Sequence, residues 1–257
     1  MEAGHTFLAT LGKKRLRPGG KKGTKFLFKN ANIDSNTYVL EVACNIATSA
    51  IELVKKYDLK KIVICDLDDK ALEKALENVK KAGFEDRFTI VKADATNLPF
   101  ENETFDVVIN EAMLTMLLSD KKEKAVSEYY RVLKNNGRLL THDVLMFAEN
   151  IDIQKKIKAE LSRAINVHVD PLTNSAWREL FLNAGFKKVT NDFGKMTLMN
   201  PVGMIRDEGL LGAVKIINKG LKKLGCVDNS WYLSVFQNFC NTFVFHKIIK
   251  SNFFYWF

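Results

Sequence analysis

The stretch Val39-Leu40-Glu41-Val42-Ala43-Cys44-Asn45-Ile46-Ala47-Thr48-Ser49 decides the fold. An apolar run ends at an acidic residue, small residues follow at alternate positions, and an amphipathic pattern then begins. This is the layout of a strand, a ligand-facing loop and a helix whose N-terminus points at the ligand. Such loops are glycine-rich where backbone must approach a pyrophosphate, yet this one holds no glycine. Asn45 is among the residues best able to adopt a positive φ. Ala43 and Ala47 are the smallest residues that still carry a Cβ.

Outward from this loop, β-rich runs alternate with helical patterns, which predicts a parallel sheet with helices on its faces. Strands are expected over residues 37–43, 61–65, 88–92, 105–109 and 138–141, with helices over 48–57, 69–81 and 120–133. Asn135-Asn136-Gly137 reads as a turn into the fifth strand. Beyond it, helices are expected over 153–165 and 173–184, with one strand or a broken pair over 186–199. A helix over 207–224, a further helical stretch over 231–239 and a closing strand over 242–249 complete the expectation. The tail Phe253-Phe254-Tyr255-Trp256-Phe257 is aromatic throughout, and as a free end it would seek the body or a second copy.

The 257 residues suffice for one α/β domain with additions, and 47% hydrophobic with 27% charged residues is a globular balance. Cys44, Cys65, Cys226 and Cys240 show neither C-x-x-C pairing nor histidine partners at metal spacing. Reduced thiols in a cytoplasmic setting, without a bound metal, are expected. No run approaches the ~18 apolar residues of a membrane span. The net charge is +9, with a basic cluster at Lys13-Lys14-Arg15-Leu16-Arg17 and Lys21-Lys22. Nucleic acid is one reading of that cluster. Solvated helix faces, which account for most other lysines, are the favoured one.

Polar residues end successive strands: Glu41, Asp66, Asp94 and the pair Asn110-Glu111. In an open α/β sheet, ligands bind outside the carboxyl ends of the strands. Here the chain resembles the class I S-adenosylmethionine-dependent methyltransferases, over about residues 37–141 and more weakly to Met199. Glu41-x-Ala43-x-Asn45-x-Ala47 aligns with that family's acidic-x-Gly-x-Gly-x-Gly loop. Asp66 matches the acid that holds the ribose hydroxyls, and 93–100 resembles the turn that contacts adenine. The nearest subgroup in appearance is the small-molecule type, which includes the ubiquinone- and menaquinone-pathway enzymes.

The resemblance implies a Rossmann-like, doubly wound α/β fold, its seven-stranded, mostly parallel sheet closed by an antiparallel last strand. It implies S-adenosyl-L-methionine as cofactor, bound by Glu41, Ala43, Cys44, Asn45, Ala47, Asp66, Leu67, Asp94, Ala95, Asn110 and Glu111. The physics agrees, because this nucleoside has no phosphates and so does not force glycine into the loop. Residues 1–36 are expected to form an N-terminal lid in which Arg17, Gly19 and Gly20 reach the cofactor or substrate mouth. A basic, solvated terminus is the other reading of that segment. Residues 37–257 form the methyltransferase domain, with a helical cap inserted at about 201–240.

Methyl transfer needs a general base only if the acceptor carries a proton; Glu111, His142 and Asp143 are the candidates. His5 and His168 read as ordinary hydrogen-bonded histidines. The segment Gly203-x-x-Arg206-Asp207-Glu208-Gly209 is either a pocket lining or simply a helix start. A small-molecule acceptor is favoured. An RNA or protein methyltransferase, and a non-catalytic partner protein that docks or self-associates through the aromatic tail, are the rival readings.

Overall fold

The computed structural model describes residues 4–198, 201–226 and 249–256. Two helices, α1 (Gly4–Thr10) and α2 (Gly20–Asn30), precede the sheet. There follow β1 (Tyr38–Val42), α3 (Thr48–Lys56), β2 (Lys61–Asp66), α4 (Asp69–Ala82), β3 (Phe88–Lys92), β4 (Phe105–Glu111), α5 (Ser119–Val132) and β5 (Leu133–Met146). The chain continues through α6 (Ile151–Ile165), α7 (Asn174–Asn183), β6 (Val189–Gly194), α8 (Pro201–Cys226) and β7 (Ile249–Trp256).

Five strands form the parallel part of the sheet in the order β3-β2-β1-β4-β5. Beyond β5 the order runs to β7 and then β6, both pairings antiparallel. Strand β1 lies between β2 and β4, with Leu40 in register with Val63 on one side and Val108 on the other. Because strand side chains alternate, the sheet feeds two cores. Leu40, Val42, Val63 and Val108 pack with Tyr129 of α5 and Trp177 and Phe181 of α7. Val39, Ile62, Ile64 and Val107 pack with Leu27 and Phe28 of α2, Leu53 of α3 and Val79 of α4.

Local chemistry sets the element ends. Asp68 caps α4 by accepting the Lys70 N–H, and Gly83 ends that helix at φ 74°. Thr173 caps α7 by accepting the Ala176 N–H. Among the described residues no helix is long and apolar enough to cross a membrane.

Three expectations are corrected. The fifth strand is far longer than 138–141, because Asn135-Asn136-Gly137 does not end it. The ladder absorbs that segment, with Asn136 at φ 65° and a register shift opposite Phe105 and Val107. All but the last residue of the strand expected over 242–249 lies outside the described residues; Ile249–Trp256 is a strand, so most of the aromatic tail is an inner strand with β5 and β6 on its flanks. The expected C-terminal helix starts earlier, at Pro201, and is broken at Gly209 (φ 76°, ψ 165°). Helix α2 was not expected at all. Residues 231–239 lie outside the described residues.

Candidate functional site

The loop after β1 is built on alternating left-handed backbone. Ala43 (φ 58°), Asn45 (φ 50°) and Ala47 (φ 60°) are all left-handed, at alternate positions. For an alanine this costs about 1 kcal/mol each. Backbone bonds hold the shape: Cys44 N–H to the Cys65 carbonyl at 3.0 Å, and Ala47 N–H to the Cys44 carbonyl at 2.9 Å. Asp66, at the end of β2, accepts the Asn45 N–H at 2.8 Å and the Asp68 N–H at 3.1 Å. Its carboxylate therefore locks the loop from the neighbouring strand.

Glu41 and Asn110 lie beneath this loop, both buried. Glu41 Oε2 and Asn110 Oδ1 have no hydrogen-bond partner, while Asn110 Nδ2 donates to the Val42 carbonyl at 3.3 Å. Burial pushes the Glu41 carboxyl up to about 8, against the pull of the Arg17 guanidinium. Two orphaned acceptors under a loop of left-handed backbone fit a ligand that brings its own donors. The ammonium end of an amino acid is such a ligand. Burial also pushes the Cys65 thiol up to about 12 and Cys44 higher, so neither thiol is a nucleophile near neutrality.

The outer rim suits a purine nucleoside. Leu67 is 61% exposed beside Asp66, an apolar surface on which a planar ring could rest. Asp94 is exposed and Ala95 half-buried. Asp94 Oδ1 accepts the Thr96 N–H and hydroxyl, both at 2.8 Å, and these bonds hold its carboxyl below the usual range.

A buried polar network closes the inner side. Glu111 Oε1 pairs with Arg17 Nε at 3.2 Å and accepts a short bond from the Ser49 hydroxyl. Its Oε2 accepts the Thr24 hydroxyl at 2.8 Å and meets His142 Nδ1 at 2.9 Å. Burial would raise the Glu111 carboxyl, but Arg17, His142 and Ser49 outweigh it and hold the group at about 2. Arg17 Nη1 also donates to the Thr24 hydroxyl at 3.2 Å. Gly19 N–H donates to His142 Nε2 at 3.0 Å. That bond assigns the proton to Nδ1, where it is donated to Glu111.

Arg17 and Gly19 are thus buried against Glu111, Thr24 and His142, while Gly20 packs against α8. Gly20 has φ 55°, and a Cβ there would collide with the Asp207 carboxylate. Asp207 Oδ1 accepts the Lys21 N–H at 2.8 Å, and Glu208 Oε1 accepts the Lys14 and Arg15 N–H groups at 2.9 and 3.0 Å. Arg15 also pairs with Glu52 of α3 at 2.6 Å. The Thr197 N–H donates to the Pro18 carbonyl at 2.7 Å. Sequence reasoning missed Thr24 and Ser49, for which no spacing signal exists, and left the role of Asp207 and Glu208 open.

Residues 39–137 match the family described as "Methyltransferase domain". A Haemophilus influenzae protein described as "Uncharacterized protein" is 49% identical over 221 residues, 86% of either chain. The ubiquinone/menaquinone biosynthesis C-methyltransferase UbiE of Enterobacter sp. is 32% identical over 111 residues, 43% of this chain and 40% of that protein. The chain therefore spans well under two thirds of that relative. Among solved structures, phosphoethanolamine N-methyltransferase 2 of Haemonchus contortus, in complex with S-adenosyl-L-methionine, superposes with a TM-score of 0.71 at 19% identity. That match covers 98% of this chain and 56% of that one.

Proposed function

The chain belongs to the class I S-adenosylmethionine-dependent methyltransferases, and from that premise we propose that it transfers the methyl group to a small-molecule acceptor. S-adenosylmethionine is the cofactor; when bound it supplies an electrophilic methyl group on a sulfonium. The observation that carries the site reading is the run of left-handed residues Ala43, Asn45 and Ala47, tied to Asp66 at the end of the next strand.

In this reading Asp66 accepts the ribose hydroxyls, and Leu67 and Ala95 cover the adenine, whose amino group donates to Asp94. Glu41 and Asn110 receive the ammonium of the methionine end with their unpartnered oxygens. Residues 1–36 act as a lid: Arg17 and Gly19 cross the mouth, held there by Glu111 and His142, while Gly20 sits against Asp207. Residues 37–257 form the catalytic domain, with α8 as the described part of the cap; the rest of the span read as cap, to about residue 240, lies outside the described residues. The lid excludes water, and displacement at a sulfonium methyl group gains from that exclusion and from alignment of the acceptor.

The basic N-terminal cluster favours this reading over a nucleic-acid enzyme. The Lys13 side chain is buried, with Asp207 and Glu208 each at 3.9 Å, and Arg15 is held by Glu52. Those charges are engaged internally rather than offered to a phosphate backbone. Titration calorimetry with S-adenosylmethionine tests the site. Binding by the wild type and a loss of at least tenfold in Asp66→Ala are expected; undiminished binding in that variant would sink the assignment.

A further inference from the structure

On the far side of the polar network lies a cavity of ≈ 110 Å³. Its walls come from α1, the lid, the ends of β4 and β5, α6 and the segment after β6. Three neighbours along the chain tie it to the network. Pro18 sits between Arg17 and Gly19, Ala112 follows Glu111, and Asp143 follows His142, and all three line the cavity. The cavity therefore begins where the cofactor side of the site ends.

We propose that this cavity receives the methyl acceptor, and that the acceptor is a compact, uncharged, apolar molecule anchored by one hydroxyl group at Asp143. This rests on the methyltransferase reading above. Twelve of the fourteen lining residues are apolar, Leu161, Ala164 and Met196 among them, so most of the occupant must be apolar too. The space is smaller than the ~150 Å³ of an apolar cavity that holds benzene, so it admits one ring at most, or a short branched chain.

Thr115 and Asp143 are the polar residues in the lining. Asp143 is fully buried; it accepts the Val144 N–H on Oδ1 at 2.8 Å and the Thr115 N–H on Oδ2 at 3.2 Å. A carboxylate has about four acceptor positions, so capacity remains for a further donor. Burial raises the Asp143 carboxyl above its ordinary value, against the bonds from Thr115 and Val144. A carboxylate ligand would add a like charge beside it. An ammonium would gain the Asp143 carboxylate as partner, but it would leave water for a lining with no other charged residue, a cost that one pairing does not reliably offset. A neutral hydroxyl meets neither cost.

The experiment measures binding of phenol, toluene, benzylamine and benzoate by calorimetry, with and without saturating S-adenosylhomocysteine. Phenol is expected to bind about tenfold more tightly than toluene, and more tightly than either charged probe. Asp143→Leu should bring phenol down to the level of toluene, and Ala164→Phe, which fills the cavity, should remove both. The proposal is overturned if toluene equals phenol, if a charged probe binds best, or if either variant leaves the phenol preference intact. The wild-type ranking decides the matter without either variant. Failure of S-adenosylhomocysteine to bind would instead sink the cofactor reading, and is read before any probe is added.

Discussion

Glu111 and His142 face each other across the ends of β4 and β5, carboxylate Oε2 to imidazole Nδ1 at 2.9 Å, both buried. The other imidazole nitrogen accepts the Gly19 N–H at 3.0 Å. Both ring nitrogens are thus engaged, and one backbone bond ties the segment ahead of α2 to the buried pair.

Glu111 is held at about 2, below its ordinary 4.5. A depressed carboxyl contributes stability above the unfolded value, and that stability is lost as pH falls through 4.5 toward 2. Arg17→Leu leaves the buried carboxylate short of its cation and should cost about 3 kcal/mol near neutrality. Urea unfolding at several pH values checks this: the gap between wild type and variant is expected to close toward pH 2. A gap constant with pH would refute the pairing.

Glu41 behaves in the opposite sense. Its carboxyl is raised to about 8, so it stabilises the fold below 4.5 and progressively less as pH rises through 8. Glu41→Gln should therefore stabilise the protein at pH 8 by on the order of 2–4 kcal/mol, and hardly at all at pH 4. Thermal melts of both proteins across this range measure it. An equal shift at both ends of the range would contradict the buried, orphaned carboxyl.

Ala43→Gly and Ala47→Gly relieve left-handed alanines at a small cost in chain entropy. Each should raise stability by about 0.5–1 kcal/mol. Paired denaturant melts are the measurement, and a loss of stability in both variants would mean that the loop is not under this strain.

Asp207→Ala removes the acceptor that fixes the lid's backbone at Lys21. Trypsin cleavage among the lysines and arginines of residues 13–22 is expected to quicken about fivefold or more, because local opening exposes them. Mass spectrometry of the early fragments reports it. Unchanged cleavage would show that the lid is held by something other than α8.

Much of this arrangement was legible in the sequence, and the rest hid for physical reasons. The alternation of strands and helices from residue 37 onward identified the parallel sheet. Acidic residues at successive strand ends marked the candidate site. Asn135-Asn136-Gly137 keeps its turn-like character, with Asn136 left-handed, but stands as an irregularity between the pairs Phe105–Leu133 and Val107–Arg138 rather than ahead of the strand. The aromatic tail carries strong β propensity, but only its pairing with β5 and β6 shows it to be an inner strand. Helix α2 buries Gly20, Gly23, Thr24, Leu27 and Phe28 at helical spacing, but its first three buried positions are glycines and a threonine, which do not read as an apolar stripe. Thr24 and Ser49 meet at Glu111 through long-range closure, which no short motif encodes.

The lid's anchors lie far downstream: Lys14 and Glu208 are 194 positions apart. On the ribosome, residues 13–21 emerge long before Asp207 and Glu208 exist to receive them. The parallel sheet can assemble in that interval, but the backbone of Lys14, Arg15 and Lys21 gains its carboxylate acceptors only once α8 has been translated and docked. The segment ahead of α2 is therefore among the last parts of the described fold to be fixed in place, although it is among the first to be made.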